Sequence, residues 1–321
     1  MSSLSPKSAC IIIASHISNP KRMTYLMECL NSLLTQSLPI EIYLSISFEN
    51  DNIRDIFTEV YSEQKHLHSE LLYIYIKPKK TPQMRHMEEL LPLIENKHQW
   101  VMFSDDDDTY EKDRVLVVLQ TIVNCLDQIT KMPDKELIGV YESTFGKDHR
   151  EQRHEFWCYC VHISMLTKFM NKVRPFPDIL EHKCCDVLFG EYLRRANLNM
   201  LYGVIKEKYY NYRVHNNSDS ITGEIQVKNK FVRAPRMITE TNKQECANEL
   251  NDYLSRELGI YIHDTYVRTI IGNVFDEILR YEFKNEYEIL NLIDQKYVEE
   301  IYEYHMILRN LANDLYDIKF I

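Results

Sequence analysis

Asp105, Asp106, Asp107 and Asp108 stand in one uninterrupted run, directly after the apolar segment Trp-Val-Met-Phe-Ser at residues 100–104. Four like charges in a row repel one another, so the run is tolerable mainly where something positive sits with it. Carboxylate oxygens are hard donors that suit Mg²⁺ or Mn²⁺, and Mg²⁺ is commonly held by one or two carboxylates together with substrate phosphates. The segment before the run is too short for a helix and rich in β-formers, which predicts a buried strand. The aspartates then fall at the C-terminal end of a strand, where open α/β sheets place their ligands. A solvated acidic loop capping the next helix is the ordinary reading of such a run. The order of elements around it favours a site instead.

Those elements alternate. Residues 10–14 (Cys-Ile-Ile-Ile-Ala) read as a buried strand that ends in a polar turn at 15–20. Tyr25, Leu26, Cys29, Leu30, Leu33 and Leu34 fall on one helical stripe. Ile40, Ile42, Leu44, Ile46 and Phe48 alternate as a second strand. Strand, helix and strand in that order make a βαβ unit and hence a parallel sheet. A helix over 53–65, a strand over 71–76 and a helix over 83–91 follow, with Pro92 expected to kink or end the last. The strand into the aspartates is then the fourth, and Val115, Val118, Leu119 and Ile122 mark a helix behind it.

From Leu137 the pattern changes. Strands are expected over 137–141 and 156–163, the second alternating Phe156, Cys158, Cys160 and His162 against Trp157, Tyr159 and Val161. A helix over 182–195 carries Asp186 in its first two turns, and 208–214 is a last strand-like piece. Beyond Gly223 the composition is helical. One stripe (Cys246, Leu250, Tyr253, Leu254, Leu258) is closed by Gly259 as a C-cap, and another runs behind Asp264 as an N-cap. Two more helices are expected up to Leu315. These stripes read as core; a contact surface, such as a homo-oligomer through the C-terminal helices, is the minor reading.

Bulk properties bound the function. A chain of 321 residues with 45% apolar and 27% charged residues is an ordinary globule of one large domain or about two. A net charge of −10 argues against an extended nucleic-acid footprint. Seven glycines, with no Gly-x-Gly-x-x-Gly or Walker-type loop, disfavour dinucleotide and P-loop chemistry, so phosphates would be met by metal and side chains. The eight cysteines show no disulfide-framework or zinc spacing and read as reduced thiols. No apolar run long enough to span a membrane and no signal peptide is evident, and the expected location is cytoplasmic.

Taken in order, these segments resemble a glycosyltransferase of the GT-A fold, of the family 2 type, across residues 8 to about 222. Ile11-Ile-Ile-Ala14 resembles the opening strand, Cys29-Leu-Asn-Ser-Leu-Leu-Thr-Gln36 the family's Cys-Leu-x-Ser-Leu-x-x-Gln helix, and Phe103-Ser-Asp-Asp-Asp-Asp108 its Asp-x-Asp metal site. Asp186 in Cys185-Asp-Val-Leu-Phe-Gly-Glu-Tyr-Leu193 resembles the carboxylate that opens the acceptor-side helix. Tyr210-Asn-Tyr-Arg-Val-His215 is similar to the closing Tyr-Arg-x-His segment. The resemblance implies a Rossmann-like, mostly parallel nucleotide-sugar-binding sheet over 1–224 with a C-terminal helical appendage over 225–321. It implies transfer of a sugar from a nucleotide-diphosphate sugar, UDP-linked for preference, to an acceptor hydroxyl of a carbohydrate or glycoconjugate, with Mn²⁺ or Mg²⁺ and inversion.

By the same resemblance Asp105 reaches the ribose or the metal, Asp107 holds the metal, and Asp106 and Asp108 are auxiliary. His215 closes over the diphosphate as a third ligand or donor, together with Arg213. Ser15, His16 and Glu49 or Asn50 stand where the nucleoside docks, although the family often has an aspartate where this chain offers Phe48-Glu49-Asn50. Gln83, Arg85 and His86 are candidates for diphosphate or uracil contact. Asp186 is the expected base, with Glu181 and Glu191 in reserve; the family often has Glu-Asp where this chain has Cys185-Asp186. Trp157, Tyr159 and His162 form either an aromatic platform for the acceptor or ordinary core. The competing functions are a sugar nucleotidyltransferase, which expects a Gly-rich loop after the first strand, and an inactive GT-A-like binding module.

Overall fold

The computed structural model describes residues 8–131, 135–143, 155–196, 200–213, 238–271 and 287–316. They fall into two units. One holds the described residues up to Glu181 together with Leu193–Arg213, and the other holds His182–Tyr192 and the described residues beyond 237.

The first unit is built on a seven-stranded sheet. Its strands are β1 (Ala9–Ile17), β2 (Glu41–Phe48), β3 (Leu72–Ile76), β4 (Trp100–Asp105), β6 (Glu136–Glu142), β7 (Tyr159–His162) and β8 (Met200–Ile205), in the order 3-2-1-4-7-6-8. A separate two-stranded ladder pairs β5 (Thr109–Tyr110) with β9 (Tyr210–Asn211). In the large sheet only β7 runs antiparallel to its neighbours. This is the mostly parallel, Rossmann-like α/β sheet that the sequence implies. β1, β2 and β4 are buried almost throughout, as parallel strands covered on both faces must be.

Helices cover the sheet for the reasons their sequences give. α1 (Pro20–Leu34) starts on Asn19, whose side chain accepts from the Arg22 amide, with Pro20 in the first turn. Its Met23, Leu26, Cys29, Leu30 and Leu33 are buried. α2 (Asp51–Glu63) is capped by Asn50 in the same way, so that side chain is spent on the backbone rather than facing a nucleoside. α3 (Gln83–Ile94) passes through Pro92 instead of ending there. The proline sits in the last turn, where its missing N–H removes one hydrogen bond and breaks nothing beyond it. α4 (Arg114–Ile129) buries Val115, Val118, Leu119 and Ile122, as expected.

The second half departs from the sequence reading. Residues 156–158 form a 3₁₀ turn, the strand is only β7, and Ile163 opens a helix, α5 (Ile163–Val173). The apparent alternation over 156–163 is therefore a turn, a short strand and a helix start, buried except at the partly exposed His162. α6 (Pro177–Leu180) and α7 (Cys185–Arg194) follow, and α7 carries Asp186 in its first turn.

In the second unit α8 (Lys243–Ile271) runs through both expected caps. Its backbone departs from helical geometry at Glu257 (φ −132°, ψ 25°), neither Gly259 nor Asp264 ends it, and Leu250 and Leu254 pack with Ile289 and Ile301. α9 (Gln295–Tyr316) completes the helical region. None of the eight cysteines is bridged to another. Among the described residues no helix is long and apolar enough to cross a membrane.

One glycine is fixed by the sheet. At Gly139 a Cβ would lie 2.3 Å from the Cys160 carbonyl oxygen and 3.0 Å from the Val161 Cα, beside a register irregularity in β6. Both obstacles are backbone of the paired strand and cannot turn aside. Gly139→Ala is expected to lower unfolding stability by about 1–3 kcal/mol, read by urea denaturation; an unchanged midpoint would mean that the irregularity absorbs the methyl.

Candidate functional site

The chain leaves β1 in one direction through β2 and β3 and returns to the other side of β1 as β4, so the strand order reverses between β1 and β4. Open α/β sheets bind ligands in the crevice at such a switch point, beyond the C-terminal ends of the strands. Asp105 is the last residue of β4 and pairs with Ala14 of β1, which places the acidic run at that crevice.

The four carboxylates separate into two kinds. Asp106 and Asp108 are buried, at 5% and 1% exposure, whereas Asp105 and Asp107 are partly exposed. Asp106 accepts from the Ser15 hydroxyl at 2.6 Å and from Arg22 Nη2 at 2.5 Å. Asp108 accepts from the Tyr210 hydroxyl at 2.8 Å and the Arg213 amide at 2.6 Å. Of the outer pair, Asp105 accepts from the Gln83 side chain at 2.9 Å and Asp107 from Arg22 Nη1 at 2.7 Å. Burial raises the Asp106 carboxyl to about 6, against the opposing pull of Arg22. Burial also raises Asp108 to about 7, partly offset by the hydrogen bond from Arg213. Burial by itself would lower Arg22, but Asp106 and Asp107 outweigh it and hold the guanidinium charged.

A second buried layer fixes the loop from behind. Arg114, fully buried, donates Nε to Glu142 at 2.5 Å and Nη2 to the Trp157 carbonyl at 2.8 Å, and its guanidinium lies 4.0 Å from the Tyr110 ring centroid. The other Glu142 oxygen accepts the Tyr209 and Tyr210 amides at 2.7 and 3.0 Å. This anchors β9, and the Tyr210 hydroxyl then bridges outward, donating to Asp108 and accepting the Asp105 amide at 3.0 Å.

Beside the aspartates, at the ends of β1 and β2, His16 meets Ser47 at 3.0 Å and Glu49 at 2.9 Å, with Lys80 at 3.3 Å from the same glutamate. His86 sits beneath, on Ser45 at 2.7 Å and Ser47 at 3.2 Å. Burial, then Lys77 and His16, lower His86 from 6.5 to about 4.

Ser15, His16, Glu49, Asp105, Asp106, Asp107 and Arg213 thus share one end of the sheet, Ser15 facing Asp106 rather than an open crevice. Arg213 donates to the Asp107 carbonyl at 2.7 Å, stacks 4.2 Å over Tyr25 and pairs with Glu28. Arg85 is turned to Glu88 and, at 2.8 Å, Glu181. Trp157 and Tyr159 are buried; Trp157 stacks on Tyr210 at 4.1 Å, and His162 caps α5, so these residues are core and capping groups. Asp186, half-buried in α7, belongs to the second unit. His215 lies outside the described residues. The sequence does not single out Arg22, Glu28, Arg114 and Glu142, and it places Tyr25 on the apolar stripe of α1, whereas Tyr25 is partly exposed and meets Arg213. Arg22, Tyr25 and Glu28 recur every third residue on α1, a spacing that sets them on one face.

Among the described residues no group of three His, Cys, Asp or Glu side chains is arranged to hold a metal ion. Asp105 and Asp107 nevertheless offer hard oxygens in the manner of a site that Mg²⁺ or Mn²⁺ completes with substrate phosphates, and the guanidinium of Arg22 already places a cation beside Asp107.

No protein-family model and no curated protein sequence matches the chain. Among solved structures it is similar to S. aureus TarS at 16% identity and a TM-score of 0.42, over 96% of this chain and 54% of that one, so it spans about half of TarS. The 1–349 portion of TarS in complex with UDP-GlcNAc matches at 13% identity over 89% of its length. A mannosyltransferase from Pyrobaculum calidifontis, in complex with GDP-Man and Mn²⁺, matches at 11% identity and a TM-score of 0.44, over 96% of this chain and 88% of that one. A 4-diphosphocytidyl-2C-methyl-D-erythritol synthase from Anaerococcus prevotii matches at 14% identity and a TM-score of 0.42, over 69% and 97% of the two chains. Likenesses this distant carry no argument about activity.

Two outcomes follow from the buried layer. Glu142→Ala strips Arg114 of its counter-ion and the Tyr209 and Tyr210 amides of their acceptor, and is expected to cost about 3–5 kcal/mol in denaturant unfolding. His86 binds its proton less readily folded than unfolded, so its contribution is fully present above about pH 6.5 and is lost as pH falls towards 4, on the order of 3 kcal/mol over that window. His86→Asn cannot take up the charge and should lose less stability than the native chain between pH 7 and 4.5. Parallel pH profiles would show that His86 titrates normally.

Proposed function

We propose that this chain is a metal-dependent glycosyltransferase that moves a sugar from a nucleotide-diphosphate sugar, UDP-linked for preference, to a hydroxyl of a carbohydrate or glycoconjugate acceptor. The observation that carries the reading is the sorting of the acidic run at the switch point: Asp106 and Asp108 are internal, while Asp105 and Asp107 remain partly exposed at the crevice. The hexosyl class and inversion follow from the sequence resemblance.

In this reading Asp105 and Asp107 would hold Mn²⁺ or Mg²⁺, which would supply positive charge to stabilise the diphosphate leaving group. His16 and Glu49 border the nucleoside, Arg213 faces the diphosphate, and the resemblance assigns His215, outside the described residues, the part of a third metal ligand or hydrogen-bond donor. Asp186 takes the acceptor proton as the new glycosidic bond forms. The catalytic domain is 1–224, and 225–321 is a helical appendage.

One observation favours a second reading, a nucleotide-binding module without catalysis: Arg22 already neutralises Asp106 and Asp107. A nucleotidyltransferase is disfavoured because residues 15–22, from the end of β1 into the first turn of α1, contain no glycine.

The test is thermal unfolding with UDP-, GDP-, CMP- and TDP-sugars, each with and without Mn²⁺, on the native chain and Asp107→Ala. A ligand at a hundred times its Kd adds about 2.7 kcal/mol. One nucleotide class is expected to stabilise only with Mn²⁺, and the variant to lose this. Slow hydrolysis of that donor would separate enzyme from module, and no shift with any nucleotide would remove the glycosyltransferase reading.

A further inference from the structure

We propose that Arg22 is a resident counter-cation of the acidic site, and that a divalent metal ion binds Asp107 only by displacing it. This rests on the reading of Asp105 and Asp107 as metal ligands. Arg22 spans two neighbouring carboxylates with separate nitrogens, Nη1 on Asp107 at 2.7 Å and Nη2 on Asp106 at 2.5 Å. Its backbone is fixed in the first turn of α1, where its amide donates to Asn19 at 3.1 Å, so the side chain reaches the run from a rigid base. The guanidinium is a fork that matches two acceptors at once, which a lysine ammonium cannot do.

The competition is electrostatic and steric together. A metal ion on Asp107 would stand within a few ångströms of the guanidinium, and two cations at such a distance repel strongly in a partly desolvated crevice. Arg22 has somewhere to go: its side chain is 25% exposed, whereas that of Asp106 is 6% exposed and held also by Ser15. Asp107 is therefore the carboxylate that changes partner, while Asp106 stays internal.

Two consequences follow. Metal alone binds weakly, because it first has to break the Arg22–Asp107 pair. A diphosphate offers oxygens both to the metal and to the released guanidinium, so metal and nucleotide strengthen one another's binding by the same factor in either order. Arg22 would then serve the empty site as its cation and the loaded site as a phosphate partner.

The experiment titrates Mn²⁺ alone into the full chain, with free Mn²⁺ read by electron paramagnetic resonance and bound Mn²⁺ by calorimetry. The proteins are native, Arg22→Gln, Arg22→Lys and Arg22→Gln combined with Asp107→Asn. Arg22→Gln is expected to bind Mn²⁺ at least ten-fold more tightly than the native chain, and Asp107→Asn to abolish the gain. Arg22→Lys keeps the charge but not the fork, and is expected to gain about three-fold; it carries the test if the glutamine variant does not fold. Equal or weaker Mn²⁺ binding in the Arg22 variants overturns the proposal, as does a gain that survives Asp107→Asn. No nucleotide enters this titration, so a chain that binds no nucleotide sugar can still meet it, and its failure leaves the donor measurements untouched.

Discussion

Four adjacent carboxylates at the end of a buried strand are the constraint to which much of the first unit answers. Alternation along the backbone sends two of them inward, where an ionised group is costly unless it is paired. The fold supplies those partners from distant segments: Ser15 from β1, Arg22 from α1, Tyr210 and the Arg213 amide from the end of the unit. The other two stay partly exposed at the crevice. A run that would be an unstable cluster in isolation becomes a directional one, with an internal pair that anchors and an outer pair that can meet a ligand.

The anchor depends on a second buried charge pair. Arg114 and Glu142 are almost wholly out of water, an arrangement whose desolvation cost consumes much of its Coulomb gain, so the pair is weak evidence for stability as such. What it does visibly is fix geometry. One Glu142 oxygen holds Arg114 and the other holds two successive amides, which pins β9 against β5 and sets the height of the Tyr210 hydroxyl. Tyr210 then ties Asp105 and Asp108 together. The route from a helix start to the acidic loop is thus hydrogen-bonded at each step.

How much of this was legible in the sequence follows from the range of the interactions. β1, β2 and β4 announce themselves because they are buried on both faces, and the run of aspartates names the crevice. α5 was missed although Ile163, Leu166, Met170 and Val173 keep helical spacing, because 156–163 looked like one alternating strand. β8 was missed at a six-residue run with a glycine inside it, and Gly259 looked like a stop that the backbone instead leaves to a kink two residues earlier. The aspartates' partners were the hardest to see. Arg22 and Asp106 are 84 residues apart, and no local pattern tells a surface arginine in a first helical turn from one that reaches across a crevice.

α1 shows why such partners need the fold. Its apolar face is the crossover of a βαβ unit and would pack the same way in many sheets. Its other face carries Arg22, Tyr25 and Glu28, of which the first meets the aspartates and the other two meet Arg213, itself bonded to the Asp107 carbonyl. A single helix therefore neutralises the acidic loop from one side and clasps the arginine that closes it from the other. Moving α1 would disturb both cations together, so the charge balance at the crevice is set by the packing of one helix on the sheet. Any ligand that adds positive charge between Asp105 and Asp107 has to be accommodated against that same packed face.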